Sequence, residues 1–468
     1  MKGKHLLLVL PLVILLIPRQ YIPLEGLTIV EHRIIALFFF AALFWILEPI
    51  PVYATSLLII LFELILVSDR GFTLFVNSSA ENLGSLLSYS EILETFASPI
   101  IILFLGGFFL AMAATKFRLD QNLARVLLKP FGKNPRYVMM GLMVITAVFS
   151  MFMSNTATTA MMLSILAPVL AIFDSKDQGK IAFSLAIPLA ANIGGIGTPI
   201  GTPPNAVALK YLTGSSYISF GEWMAFAFPY VLIMLFLAWF ILLILYPPQI
   251  EKIELTMKGK FLKNRKAYIV YGVFSLTIFL WLTDFLHGMN AYVVAMIPVA
   301  VFSASGIINK NDLKNISWDV LWLVSGGIAL GLGLDESGLA ARLIAAIPFG
   351  SWSPFVIVLS ITLVSAVMAN FMSNTATANL LLPLVAVLGT TVPSLIDLGG
   401  TQMIVLAATL SCSMGLALPI STPPNALAFG TGFFQTKDLV RSGVAMASIG
   451  LLLIYLLLTA LNAIGFFG

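Results

Sequence analysis

Long apolar stretches with almost no charged residues alternate with short polar segments along the whole chain. A helix needs about 20 apolar residues to cross a bilayer, so this pattern predicts transmembrane helices. We place single spans at residues 6–17, 34–47, 52–67, 98–114, 223–245, 267–283, 291–308, 320–334 and 444–467. Four further apolar stretches are too long for one span or are interrupted by glycine and proline: 137–173, 181–209, 343–396 and 403–428.

The composition supports a membrane protein. Apolar residues make up 59% of the chain and charged residues 10%, whereas a soluble domain carries about 25% charged residues. This excludes a soluble enzyme, a nucleic-acid-binding protein and a disordered chain. The single cysteine and the three scattered histidines exclude an internal disulfide and a cysteine- or histidine-based metal site. We therefore predict an all-α polytopic membrane protein.

Lysine and arginine residues fall mainly on one side of the predicted spans. With the N-terminus in the cytoplasm, 20 of the 25 lie in cytoplasmic segments and 5 lie outside, as the positive-inside rule requires. This topology needs an odd number of spans, and we predict eleven, with the C-terminus outside. The first span resembles a secretory signal, but no small-residue cleavage site follows it, so we expect it to remain uncleaved.

The sequence contains an internal repeat. The segment MSNTAT at 153–158 recurs at 372–377, an offset of 219, and TPPNA at 202–206 recurs at 422–426, an offset of 220. If each unit holds five spans, the second unit lies upside down, as in the inverted repeats of many transporters. We therefore divide the chain into an extra first span (1–33), a first inverted repeat (34–250), a basic cytoplasmic linker (251–266) and a second inverted repeat (267–468).

The two MSNTAT segments lie in the middle of long uncharged stretches. We expect two helical arms in 137–173, residues 138–153 and 157–173, each about 24 Å long at 1.5 Å per residue, which is shorter than the roughly 30 Å hydrocarbon core. A re-entrant hairpin with its tip at mid-membrane fits this length, although two full tilted spans would also return to the same side. Inverted repeats would let the two polar tips enter from opposite faces and meet.

These tips suit both cations and anions. A helix break inside the membrane leaves free carbonyl groups at the end of one arm and free N–H groups at the start of the next. Carbonyl groups suit a cation such as sodium, and helix N-termini suit an anion. The TPPN segments, with their glycines and prolines, predict unwound helices. Because this region contains no lysine, arginine or histidine, an anion bound there needs cations to neutralise it.

The paired SNT motifs, each followed by a TPPN motif in an unwound helix, resemble the divalent anion/sodium symporters, the family of the INDY-like dicarboxylate carriers. The resemblance covers about residues 34–467. It implies a homodimer that works as an elevator. Scaffold spans (34–136 and 267–345) would hold the dimer contacts while transport elements (137–250 and 346–468) move.

The resemblance also implies the site residues. It places one sodium ion among Ser150, Ser154, Asn155 and Gly201, and a second among Ala369, Ser373, Asn374 and Ser421. Substrate carboxylates would contact Asn155, Thr156, Thr202 and Pro203 in the first repeat and Asn374, Thr375, Thr422 and Pro423 in the second. The two ion sites are not identical, because Ala369 corresponds to Ser150 and Ser421 to Gly201. The difference matters only if side-chain hydroxyl groups are ligands.

We therefore predict a secondary active transporter, not an enzyme, that imports a C4-dicarboxylate (succinate, malate or fumarate) through the cytoplasmic membrane with sodium as the coupling ion. Two alternatives keep the fold: a sodium-independent exchanger of dicarboxylates or tricarboxylates, and a sulfate carrier. An ion channel with two re-entrant loops is the alternative of a different class. Glu63 lies inside a predicted span but near its outer end, so we expect a carboxylate at the membrane interface rather than a proton relay.

Overall fold

The computed structural model describes residues 9–76, 82–174, 177–253 and 260–467. Regular structure in these ranges is helical, apart from one isolated bridge between Ser68 and Leu87. The predicted all-α fold class is therefore confirmed. Residues 6–8 of the first predicted span, Lys176 and residues 254–259 of the basic linker lie outside the described ranges.

The first half of the chain forms helices α1 to α11. They are α1 (Leu10–Leu16), α2 (Ile29–Leu47), α3 (Val52–Leu66), α4 (Tyr89–Glu94), α5 (Pro99–Lys116), α6 (Leu119–Leu128), α7 (Pro135–Ser150), α8 (Asn155–Leu170), α9 (Gly179–Gly195), α10 (Pro203–Leu209) and α11 (Phe220–Leu245).

The second half forms helices α12 to α22. They are α12 (Arg265–Leu282), α13 (Asp284–His287), α14 (Ala291–Ala304), α15 (Trp318–Glu336), α16 (Leu339–Ala345), α17 (Pro354–Phe371), α18 (Asn374–Thr391), α19 (Pro393–Ile396), α20 (Gly400–Cys412), α21 (Pro423–Phe429) and α22 (Thr436–Ala463).

Seven helical segments in the described ranges are long and apolar enough to cross a membrane: α2, α4 with α5, α11, α12, α15, α17 and α22. Five shorter apolar helices, of 10 to 17 residues, accompany them: α3, α7, α8, α14 and α20. Helix α1 covers seven residues of the first predicted span. The number of eleven spans stays a prediction.

Local sequence signals explain where the long helices begin and end. Thr28 caps α2 by accepting a hydrogen bond from the backbone N–H of Glu31, and the Glu31 carboxylate accepts one from the N–H of Thr28. This reciprocal pair satisfies two N–H groups that a helix start leaves free. The helix ends at Leu47. Its C-cap Glu48 has a left-handed φ of 45° and directly precedes Pro49, which cannot continue a helical hydrogen-bond pattern.

Both MSNTAT segments form the predicted helix breaks. Helix α7 ends at Ser150 and α8 begins at Asn155, and each has 16 residues. Ser154 caps α8 by accepting a hydrogen bond of 3.2 Å from the N–H of Ala157, so the second arm starts two residues earlier than predicted. In the second repeat the arms have 18 residues each, and Ser373 caps α18 in the same way.

The unwound segments after α9 and α20 are also present, because the helix resumes only at Pro203 and Pro423. The short helices that follow exchange partners between the repeats. Helix α10 of the first repeat packs against α18 and α20 of the second, and α21 packs against α8 and α9. This exchange brings all four helix breaks to one place.

The prediction for Glu63 is wrong. Its side chain is fully buried on α3, which packs closely against α15, and neither carboxylate oxygen has a hydrogen-bond partner in the described part of the chain. Gly333 of α15 makes room for it, because a Cβ there would lie 2.9 Å from Oε1 of Glu63. The carboxylate therefore lies between helices and is not exposed, as an interfacial carboxylate would be.

Candidate functional site

A cavity of about 570 Å³ lies where the four helix breaks meet. Twelve of the predicted site residues line it: Ser154, Asn155, Thr156, Gly201, Thr202 and Pro203 from the first repeat, and Ser373, Asn374, Thr375, Ser421, Thr422 and Pro423 from the second. The remaining two, Ser150 and Ala369, are fully buried and are not among the lining residues. Segments that lie about 220 residues apart in sequence thus face one space.

Oxygen atoms converge at the first hairpin tip. The Ser150 hydroxyl oxygen lies 2.5 Å from Oδ1 of Asn155 and 2.7 Å from the carbonyl oxygen of Ala191. A hydroxyl group has only one hydrogen to donate, so it can satisfy one of these two acceptors at a time. A Cβ at Gly195 would lie 2.7 Å from Asn155 Oδ1 and 3.0 Å from the Gly201 carbonyl oxygen. Such a group of oxygens suits a small hard cation.

The second tip contains an unsatisfied oxygen. Oδ1 of Asn374 is buried and has no hydrogen-bond partner in the described ranges. A Cβ at Gly415 would touch both this atom and the carbonyl oxygen of Ala369, so the two oxygens flank the same glycine. Buried carbonyl oxygens normally have a partner, and a cation would supply one here.

The asparagine of each TPPN motif holds the adjacent unwound segment in place, a role that the sequence analysis did not assign. Nδ2 of Asn205 donates to the carbonyl oxygens of Gly195, Ile196 and Thr198 at 3.1, 3.2 and 2.8 Å. Nδ2 of Asn425 donates to the carbonyl oxygens of Leu416 and Leu418 and to the Ser421 hydroxyl oxygen at 3.3, 3.1 and 3.3 Å. These bonds fix the backbone around Gly201 and Ser421.

The cavity has polar and apolar walls and few charges. Tyr53, Phe104, Phe108 and Leu323 provide apolar surface in the lining. Among the described residues that line it, Glu48 and Asp319 carry charge, and lysine, arginine and histidine are absent. An anion in the cavity would therefore be attracted by helix N-termini, by hydroxyl and amide N–H donors and by bound cations, and not by a cationic side chain of the described lining.

Asn192 of α9 also lines the cavity, although the sequence did not predict it as a site residue. It is 2% exposed, and its Nδ2 donates to Oγ1 of Thr422 at 3.1 Å and to Oδ1 of Asn425 at 3.0 Å. The bonds connect the first repeat to the second across 230 and 233 residues of sequence. A lone asparagine in an apolar helix carries no sequence signal for such a contact.

Comparisons with known proteins show the family of the chain. A family model described as the sodium:sulfate symporter transmembrane region matches residues 2–464. The sodium-dependent dicarboxylate transporter SdcS of Staphylococcus saprophyticus is 32% identical over 90% of this chain and 84% of its own length. The sodium-dependent high-affinity dicarboxylate transporter 3 of Caenorhabditis elegans is 28% identical over 91% of this chain and 81% of its own length.

A solved structure has a related fold. The crystal structure of the YdaH transporter of Alcanivorax borkumensis matches with a TM-score of 0.55 at 13% identity, covering 89% of this chain and 99% of that one. The matched region covers nearly the whole chain and contains both SNT and both TPPN motifs. The chain therefore belongs to the divalent anion/sodium symporter family and is a membrane transporter rather than an enzyme.

Proposed function

We propose that this protein imports a C4-dicarboxylate such as succinate, malate or fumarate through the cytoplasmic membrane together with sodium ions. One observation carries the proposal: two SNT tips from opposite repeats line one cavity whose described lining has no cationic side chain. The names of two relatives, both sodium-dependent dicarboxylate transporters, support this substrate and ion.

Helix N-termini supply the attraction for the anion. Helices α8 and α18 begin at Asn155 and Asn374, and the free N–H groups of a first helical turn favour negative charge. The hydroxyl groups of Thr156 and Thr375 lie in the same two turns and line the cavity. Two such ends from opposite repeats suit the two carboxylates of one small molecule.

Two sodium ions would neutralise the dianion. The first would bind among Ser150, Ser154, Asn155 and Gly201, and the second among Ala369, Ser373, Asn374 and Ser421. Burying two carboxylates without compensating charge is costly, so substrate binding and cation binding favour each other. This mutual dependence is the physical basis of the proposed symport.

The predicted topology gives the direction in which the cavity opens. Glu48 and Asp319 line the cavity and belong to segments that the topology places in the cytoplasm, so we infer an inward-facing state. An elevator movement would separate contacts between the proposed transport elements and α15 of the scaffold. Two such contacts are hydrogen bonds. Asn379 Nδ2 donates to the Leu323 carbonyl oxygen at 3.0 Å, and Lys210 Nζ donates to the Ile328 carbonyl oxygen at 2.7 Å. The scaffold would also form the proposed homodimer contacts.

Uptake into liposomes tests the proposal. The purified protein is reconstituted, and labelled succinate is followed under an inward sodium gradient or a potassium gradient of equal ionic strength. We expect succinate to accumulate above equilibrium only with sodium. Unlabelled malate, fumarate, citrate and sulfate are added as competitors, and we expect the two C4-dicarboxylates to compete best.

Each alternative has its own result in this assay. Uptake that requires preloaded internal dicarboxylate and ignores sodium would establish an exchanger. Competition by sulfate or citrate but not by malate would establish a carrier of another anion. Ohmic currents without saturable uptake would establish a channel. Any of these results would overturn the proposed function.

A further inference from the structure

The hydrogen bonds of Asn192 fix the orientation of its side-chain amide. Asn425 uses its Nδ2 for three acceptors in the unwound segment, so its Oδ1 must be the atom that faces Asn192. Asn192 must therefore present its NH₂ group, which donates to Oδ1 of Asn425 at 3.0 Å and to Oγ1 of Thr422 at 3.1 Å.

The Thr422 hydroxyl group is constrained in turn. Its oxygen accepts hydrogen bonds from Nδ2 of Asn192 at 3.1 Å and from the backbone N–H of Asn425 at 3.3 Å. A hydroxyl group has two acceptor lone pairs and one hydrogen. Both lone pairs are in use, and no acceptor for the hydrogen lies within hydrogen-bond distance in the described part of the chain. Because Thr422 lines the cavity, its hydrogen is available to an anionic oxygen there.

The first repeat lacks this arrangement. Thr202 occupies the position equivalent to Thr422, with φ and ψ within 2° of its values, but its side chain makes no capping hydrogen bond. The position equivalent to Asn192, at an offset of 220, is Cys412. Oδ1 of Asn205 is accordingly buried without a partner in the described ranges. The orientation of the Thr202 hydroxyl group is therefore not fixed by its neighbours.

We propose that Asn192 is a positioning residue that makes the Thr422 hydroxyl group a fixed donor to one carboxylate of the substrate. The two ends of the substrate are then bound unequally, and the carboxylate that contacts Thr422 is held more tightly. This inference rests on the proposed function, since it assumes an anionic substrate in the cavity. It assigns a specific hydrogen-bond donor to the substrate site. It also makes the contributions of the two repeats unequal, although their motifs are the same.

The paired threonines test the asymmetry. Succinate binding is measured by titration calorimetry at saturating sodium for Thr422→Val and for Thr202→Val, which remove the same hydroxyl group from equivalent positions. A hydrogen bond to a charged group is worth more than one between neutral groups. We expect the dissociation constant to rise about ten-fold for Thr422→Val, which corresponds to about 1.4 kcal/mol, and less than about three-fold for Thr202→Val. Thr422→Ser keeps the donor and should recover most of the affinity that Thr422→Val loses.

A double-mutant cycle tests the role of Asn192. If Asn192 acts through Thr422, Asn192→Ala combined with Thr422→Val should bind succinate no more weakly than Thr422→Val alone. A merely structural role for Asn192 would make the two effects additive and would lower the melting temperature without this coupling. Additive effects, or equal losses at Thr202 and Thr422, would overturn the inference. If the wild type does not bind succinate at all, the proposed function fails instead.

Discussion

The Ser150 hydroxyl group decides whether the two proposed cation sites differ in strength. Its oxygen lies 2.5 Å from Oδ1 of Asn155 and 2.7 Å from the Ala191 carbonyl oxygen, at a fully buried position. The equivalent residue in the second repeat is Ala369. Ser150→Ala therefore makes the first site resemble the second at this position.

The expected size of the effect follows from the role of the oxygen. As a ligand to a cation it resembles a hydrogen bond to a charged group, worth about 1.5–3 kcal/mol. Because about 1.4 kcal/mol is a factor of ten, the sodium concentration for half-maximal uptake should rise about ten- to one-hundred-fold. If Ser150 binds sodium only through its backbone carbonyl group, Ser150→Ala should leave the sodium dependence unchanged.

The assay measures the initial rate of succinate uptake into liposomes against external sodium concentration. Ser184→Ala is a matched control. Ser184 lies on α9, is fully buried like Ser150, and donates a hydrogen bond to the Lys180 carbonyl oxygen at 2.8 Å. We expect Ser184→Ala to keep the wild-type sodium dependence. If Ser150→Ala follows the same curve as Ser184→Ala, the hydroxyl group is not a sodium ligand and the reasoning for the first site is refuted.

Two further pairs of variants address the tips. Asn155→Ala and Asn374→Ala should each abolish sodium-stimulated uptake in the liposome assay without preventing membrane insertion, because each removes an amide oxygen from a proposed ion site. Gly195→Ala and Gly415→Ala should lower sodium-stimulated uptake more than about ten-fold, because a methyl group would press on these amides. A Cβ at Gly195 would lie 2.7 Å from Oδ1 of Asn155, closer than real Cβ contacts allow, and a well-packed interior gives way only at a cost.

The controls for these pairs are residues of the same type outside the cavity. Asn462 is exposed on α22, and a Cβ at Gly272 on α12 would meet nothing within 4 Å. Asn462→Ala and Gly272→Ala should transport normally. Near-normal uptake by both Asn155→Ala and Asn374→Ala would defeat the site assignment, and wild-type uptake by both glycine variants would show that the tips tolerate displacement.

Much of the architecture could be predicted because it depends on local signals. The SNT motif breaks a helix and restarts it, since Ser154 and Ser373 cap the following helices, and the common offset of the motifs reveals the repeat. Prolines and glycines mark the unwound segments because they weaken helical hydrogen bonding. The start of α8 differed by two residues because Asn155 already belongs to the capped helix.

Contacts between distant parts of the chain could not be predicted. Asn192 reaches Thr422 across 230 residues, and it does not belong to a repeated motif because its counterpart is Cys412. Glu63 has the position of an interfacial residue in its span, yet α15 covers it, partly because Gly333 has no side chain. Burial of this kind depends on which helices pack together, and hydropathy along one chain does not contain that information.

A cryo-electron microscopy map of the protein in lipid nanodiscs, prepared with succinate and sodium, tests the central claim most directly. We expect succinate density between Thr156 of the first hairpin and Thr375 of the second, with separate cation density beside Asn155 and beside Asn374. Succinate bound elsewhere, or bound in this cavity in a sodium-free sample at the same occupancy, would contradict it.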